Sequence, residues 1–348
     1  MKPEWKDFLA DAGAEFDDGR VTTFGNPDRE RRVTTSGNVF CDLSHLGMIA
    51  AYGDDTAGFL QNQLTNDVRL VDATHSQLNA YCTPKGRMLA LFRLFRRGDT
   101  WYLRMPRSTL EPVLERLRKF VMMSKVTLED GSGALVRLGV SGPDAVEELE
   151  KATGGKVPAE NDAVTNVGDY TIIRVPGIHP RFEVYGELES MKDLWERLNV
   201  HGAPVGASGW ALLDILAGLP SVHAATVEAF VPQMANMELV NGVSFKKGCY
   251  PGQEIVARMQ YLGKLKRRMY RLHSEAAELP LPGTDVYGKG RDEPVGKVVD
   301  AELHPDGGVE LLAVLQIEAA EEAALHLGSP DGAAAERQTL PYPLELAS

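Results

Sequence analysis

Cysteine is scarce in this chain. Cys41, Cys82 and Cys249 are the three among 348 residues, an odd, sparse count that argues against a disulfide framework. No two stand at metal-motif spacing, so a zinc site or a cluster held by this chain alone is not expected. Long apolar runs are missing too. No stretch approaches the roughly 18–20 residues of a membrane span. The opening segment MKPEWKDFLADAGAEFDD has neither an apolar signal core nor the arginine-rich texture of a transit peptide. A cytoplasmic protein with no membrane association is the expectation. The eight histidines are scattered, and none pairs with another at i+3 or i+4, so each reads as a surface or core residue. Positive charge is in deficit: the net charge of −12 makes general nucleic-acid binding unlikely.

What charge there is segregates. Lys246 to Arg271 holds eight basic residues against Glu254, and Lys85 to Arg107 holds seven against Asp99. If the two meet, they form a positive cleft suited to a small polyanion; otherwise they are solvated faces. The length and ordinary apolar content suggest two or three domains with a sizeable core.

One stretch is dense in reactive and backbone-special residues: Lys247-Gly248-Cys249-Tyr250-Pro251-Gly252-Gln253-Glu254. Its glycines permit positive φ or close approach, and Pro251 biases Tyr250 away from helix. A tight turn after Cys249 follows. Ile255, Met259 and Leu262 then share one face of a short helix. Glu254 sits in its first turn and Arg258 four residues on. Cys249 would thus lie just before a helix N-terminus with Lys247 beside it, a setting that favours thiolate. A small buried cysteine in a glycine-rich connection is the competing reading.

In chain order, a helix over 3–12 leads into an irregular entry segment to residue 40. Leu46 to Asp54 reads as a strand ending in Gly-Asp, then a helix from Thr56 to about Leu64, with Asp54 or Asp55 as N-cap. Strand-like runs over 77–105 are broken by Thr83-Pro84-Lys85-Gly86-Arg87 and Arg97-Gly98-Asp99. Residues 108–121 carry a helical pattern, and Lys125 to Glu129 is strand. Leu135 to Ala145 repeats the earlier strand, glycine turn and helix. Strands at 169–175 and 181–185 and a helix at 189–199 follow, so two related α+β halves with antiparallel sheets are expected. An apolar helix spans 206–219. After residue 266, runs at 268–274, 294–302 and 309–317 predict a small β-barrel or sandwich, with 318–325 a short helix or a loop.

Residues 247–254 resemble the Lys-Gly-Cys-[Phe/Tyr]-x-Gly-Gln-Glu signature of the YgfZ family of folate-binding proteins. These are relatives of the glycine-cleavage T-protein and of mitochondrial iron–sulfur maturation factors. The likeness continues through Ile255-Val256-Ala257-Arg258, Phe59 to Asp67, Pro84-Lys85-Gly86-Arg87, Ala217-Gly218-Leu219-Pro220 and Phe230-Val231-Pro232-Gln233. It implies a three-domain ring around a channel that binds tetrahydrofolate. The division would be an entry segment 1–40, a folate-binding domain 41–130 with chain return from 205–265, a second α+β domain 131–204 and a barrel 266–348. The implied role is assembly or repair of iron–sulfur clusters in client proteins, alongside the assembly machinery, with effects on tRNA modification. Cys249 would be the reactive residue and Lys247 its partner. Asn66 and Asp67 would bind the pterin or cap a turn. Tyr250 would cover the pterin or a client, or belong to the core. Gln253, Glu254 and Arg258 would touch the ligand or hold the loop.

The sequence departs from the T-protein where that family carries an acidic pair. Here Ala90 and Leu91 follow Gly86-Arg87-Met88-Leu89, which removes acid/base help at the folate nitrogen. The loop before Phe182-Glu183 differs as well. An authentic folate-dependent aminomethyltransferase and a non-catalytic RNA- or protein-binding adaptor are the alternatives.

Overall fold

The computed structural model describes residues 1–321 and 324–344. The chain is α+β and forms two compact units, and strand Met88–Arg97 runs from the second into the first.

The first unit comprises residues 1–56, 70–77 and 93–213. A six-stranded sheet runs in the order Val164–Val167, Tyr170–Val175, Arg181–Gly186, Val136–Ser141, Val39–Asp42, Ala203–Val205. Its pairs are antiparallel except the last, which is parallel. Helices Pro3–Asp11, Ala145–Thr153 and Leu188–Leu198 contribute Trp5, Leu149 and Trp195 to an apolar layer with Phe40, Phe182 and Val184. Phe40 meets Trp195 edge-on, with ring centroids 4.6 Å apart, a geometry aromatic quadrupoles favour. In the same unit Leu46–Tyr52 pairs antiparallel with Thr100–Pro106 and Thr127–Asp130. Helix Arg107–Val121 forms because Leu110, Val113, Leu114 and Leu117 fall on one buried face, with Arg118 and Lys119 at its last turn.

The entry segment is more ordered than expected. Glu15–Asp17 and Arg20–Thr23 form a hairpin, and Pro27–Ser36 is a helix. Asn26 caps it, its side chain accepting from the Arg29 amide at 3.0 Å, with Pro27 in the first turn. The buried Glu30 accepts from the Thr23 hydroxyl at 2.6 Å and the Phe24 amide at 2.8 Å. Asp55 accepts from the Lys125 amide and Asp54 from the Lys125 ammonium.

The second unit comprises residues 57–69, 78–92 and 214 onward. Helix Thr56–Gln61 ends before Leu64 because Leu64 bridges to Tyr81 and the Thr65 amide donates to the Ala80 carbonyl. A core of Ala80, Cys82, Met88, Leu91, Val222, Phe230, Met237 and Val314 lies here. The C-terminal strands close into a barrel in the order Arg267–Ser274, Val309–Gln316, Pro294–Leu303, Asp285–Gly288, Leu325–Leu327, Ala334–Gln338. Leu272, Val286, Val298, Leu311 and Leu315 fill it. Ile317–Ala320 is a single helical turn; residues 322 and 323 of the segment left open between helix and loop lie outside the described residues. Among the described residues, no helix is long and apolar enough to cross a membrane.

Candidate functional site: the cysteine loop

The motif lies wholly in the second unit, as an irregular loop before helix Gln253–Tyr261. Gly252 stands at the N-cap with a left-handed φ of 83°. Behind it is Gly86, and a Cβ on Gly252 would lie 2.4 Å from the Thr83 carbonyl oxygen. Only glycine fits such a conformation at that range. Gln233 locks the helix by donating to the Val256 carbonyl at 2.6 Å.

Lys247 is buried, with 6% of its surface exposed. Its ammonium donates to the Gln61 and Leu64 carbonyls and sits 5.0 Å from the Tyr250 ring centroid. Burial pushes the Lys247 pKa down to about 8; Asp67 opposes this and Arg69 adds to it. Two of its three N–H donors thus go to backbone carbonyls, and among the described residues no hydrogen bond joins it to the Cys249 thiol. Tyr250 is buried and burial pushes its hydroxyl well up. It packs as a core aromatic rather than an open lid.

Cys249 is exposed. The other two thiols are not. Burial raises Cys41 well above its ordinary range and pushes Cys82 up to about 12. Of the three sulfurs, then, Cys249 is the one that lies at the surface.

Asn66 and Asp67 both bond their surroundings in the second unit. The Asn66 amide donates to the Leu78 carbonyl at 3.1 Å and the Asn241 carbonyl at 2.6 Å, and its Oδ1 accepts from the Asp67 amide. Asp67 takes a bidentate pair from Arg69, at 2.8 and 2.7 Å, and a bond from Gln61. The Arg69 side-chain bond outweighs burial and holds the Asp67 pKa near 2. Both residues shape the turn that Lys247 grips. Gln253 is half-buried and donates to the Lys247 carbonyl at 3.5 Å. Glu254 and Arg258 are exposed on the helix; among the described residues no ion pair joins them.

The basic stretches are split: Lys85, Arg107, Lys246, Arg258, Lys264 and Lys266 are exposed, while others are paired with acids. Arg268 pairs with Glu238 at 2.9 Å and Arg271 with Glu310 at 2.8 Å. In the first unit Arg93 and Arg104 turn inward. Arg104 pairs with Glu183, which also accepts from the Tyr185 hydroxyl. Burial pushes the Glu183 carboxyl up, but Arg104, Arg93 and Tyr185 outweigh it and hold it below the carboxylate range. Arg93 is buried; its Nη1 donates to Asp162 at 2.5 Å and Ser76 at 3.0 Å. Its Nε and Nη2, the edge that Arg69 uses on Asp67, have no hydrogen-bond partner among the described residues. Sequence reasoning missed this cluster. The available signal was an arginine inside the apolar run Leu91-Phe92-Arg93-Leu94-Phe95.

A model of the GCVT N-terminal domain matches residues 11–246. The tRNA-modifying protein YgfZ of Colwellia psychrerythraea is 32% identical over 308 residues, covering 87% of this chain and 93% of that one. This chain belongs to the YgfZ family. YgfZ of Yersinia pestis is 33% identical over 304 residues, with 87% and 92% covered. The aminomethyltransferase T of the Bartonella henselae glycine cleavage system superposes with a TM-score of 0.76 at 17% identity, over 96% of each chain, so the YgfZ-family chain has the T-protein fold.

Proposed function

We propose that this YgfZ-family protein is a tetrahydrofolate-binding factor for iron–sulfur cluster assembly or repair in the cytoplasm, acting through Cys249 on client proteins and thereby on tRNA modification. One observation carries the reading: Cys249 alone among the three cysteines is exposed, on a loop anchored at both sides. Its thiol gives up its proton to solvent, and the resulting thiolate donates an electron pair to a client's iron. Alternatively it attacks a client disulfide, forming one S–S bond as the other sulfur leaves as thiolate. The relatives' name, tRNA-modifying protein, supports the outcome assigned here.

The residues of the first unit suit a folate. A pterin edge offers both acceptors and donors. The free Nε–Nη2 edge of Arg93 would donate to it and Glu183 would accept from it. A buried donor pair without partners costs about 1–3 kcal/mol per group, which a polar ligand relieves. Tetrahydrofolate, when bound, carries one-carbon units. Arg93 and Glu183 would hold its ring, and the strand position where the T-protein family carries acids offers none. Ala90 and Leu91 are buried, apolar members of strand Met88–Arg97. The aminomethyltransferase alternative therefore lacks its proton-transfer group.

The reading is tested with purified protein and in cells. Tetrahydrofolate should bind without methylene-tetrahydrofolate forming from an aminomethyl donor. Cys249→Ala should keep the fold and the folate affinity yet fail to complement a strain defective in cluster enzymes. Steep salt-dependent tRNA binding would instead favour the adaptor.

A further inference from the structure

Two buried side chains bracket the thiol. Lys247 is 6% exposed and Tyr250 7%, while Gly248 and Cys249 between them are exposed. A Cβ at Gly248 would meet nothing within 4 Å. The loop therefore touches the body at 247 and 250 and stands free at 248 and 249. At the first anchor the ammonium bonds two backbone carbonyls, of Gln61 and Leu64, at and just past the end of helix Thr56–Gln61. Carbonyls there are the unpaired acceptors of a helix end, a natural seat for a cation. The groups facing this ammonium are the two carbonyls, the Tyr250 ring, Asp67 and Arg69. Asp67 is itself neutralised by the bidentate Arg69, so Lys247 has no carboxylate of its own. Its three N–H groups have two carbonyls and a π-face to serve, and Cys249 is not among its hydrogen-bond partners.

We infer that Lys247 is a positioning residue for Cys249: it fastens the thiol-bearing loop to the turn after helix Thr56–Gln61, and it does not act on the sulfur through its charge. The inference rests on the reading of Cys249 as the reactive group. It assigns the motif lysine a geometric task that its closeness in sequence to the cysteine conceals.

The test uses the full chain as wild type, Lys247→Met and Lys247→Arg. Alkylation of Cys249 is followed by mass spectrometry across pH, with amide hydrogen exchange over 245–252. Lys247→Met should leave the pH midpoint of alkylation unchanged, raise the limiting rate and loop exchange by about tenfold, as expected for losing a charged hydrogen bond, and weaken complementation. Lys247→Arg keeps the charge without the seat and should behave like the methionine variant, which also decides the matter if Lys247→Met does not fold. A midpoint raised by a full pH unit in Lys247→Met, or an arginine variant indistinguishable from wild type, would overturn the inference. Neither outcome depends on complementation by Cys249→Ala. Failure of the positioning role and failure of the thiol role are therefore read from different measurements.

Discussion

A Cβ placed on Gly252 would stand 2.7 Å from the Cα of Gly86. The two glycines bring the Thr83–Gly86 turn against the start of helix Gln253–Tyr261, and the cysteine loop hangs from that contact. Gly252→Ala meets both a positive φ and a backbone clash. It should cost about 1–3 kcal/mol in denaturant unfolding. Gly248→Ala, in open space, should leave the unfolding midpoint unchanged. Equal effects at the two positions would contradict this packing.

The thiols should separate sharply. One equivalent of an alkylating reagent should label Cys249 at neutral pH, and Cys41 and Cys82 should react on the unfolding timescale. Burial holds both well above the pH of the experiment. Peptide mapping of the labelled protein checks this, and early label at Cys82 would contradict it.

Arg93→Met removes the unpaired guanidinium edge. It should weaken tetrahydrofolate binding by about tenfold or more by calorimetry, the worth of one or two charged hydrogen bonds. Glu183→Gln puts a neutral amide in the buried place of the carboxylate that meets Arg104 and the Tyr185 hydroxyl. It should destabilise the fold by about 1–3 kcal/mol in denaturant unfolding, the worth of a hydrogen bond to a charged group. Unchanged folate affinity in Arg93→Met would remove that cluster from the site.

Lys247 also gives a signed pH dependence. Its folded pKa, about 8, lies below the ordinary lysine value of 10.5. Between those values the unfolded chain binds more protons than the folded one, so this group makes stability rise with pH. Below pH 8 its contribution is flat. The difference in unfolding free energy between wild type and Lys247→Met should therefore grow in favour of wild type from about pH 8 to about pH 10.4. A difference that shrinks over that window would mean the ammonium is stabilised, not desolvated.

Much of the fold is legible in the residues. The apolar spacing of Leu110 to Leu117 marks its helix, and Gly252 marks the start of the next. The long barrel strands announce themselves through runs such as Val309 to Gln316. The short strands Asp285–Gly288, Leu325–Leu327 and Ala334–Gln338 do not. Three to five residues carry too little alternation, and barrel closure is a tertiary property. The entry segment reads as irregular, and only the structure shows Asn26 capping a helix within it. At the site, the motif identifies the sulfur and its turn. It cannot say which way a four-carbon side chain points, so Lys247 reads as the thiol's neighbour although it bonds carbonyls 186 and 183 residues earlier in the chain. Asn66 and Asp67 are the right residue types for a pterin, and the sequence does not show that their side chains also bond the backbone, Gln61 and Arg69.

The most direct measurement is recovery of iron–sulfur enzyme activity in cells lacking their own YgfZ-family protein, with each cysteine replaced in turn. The wild type, Cys41→Ala and Cys82→Ala should restore activity in proportion to their folded abundance. Cys249→Ala should be abundant, folded and folate-binding, and should restore none. Full recovery with Cys249→Ala would contradict the account.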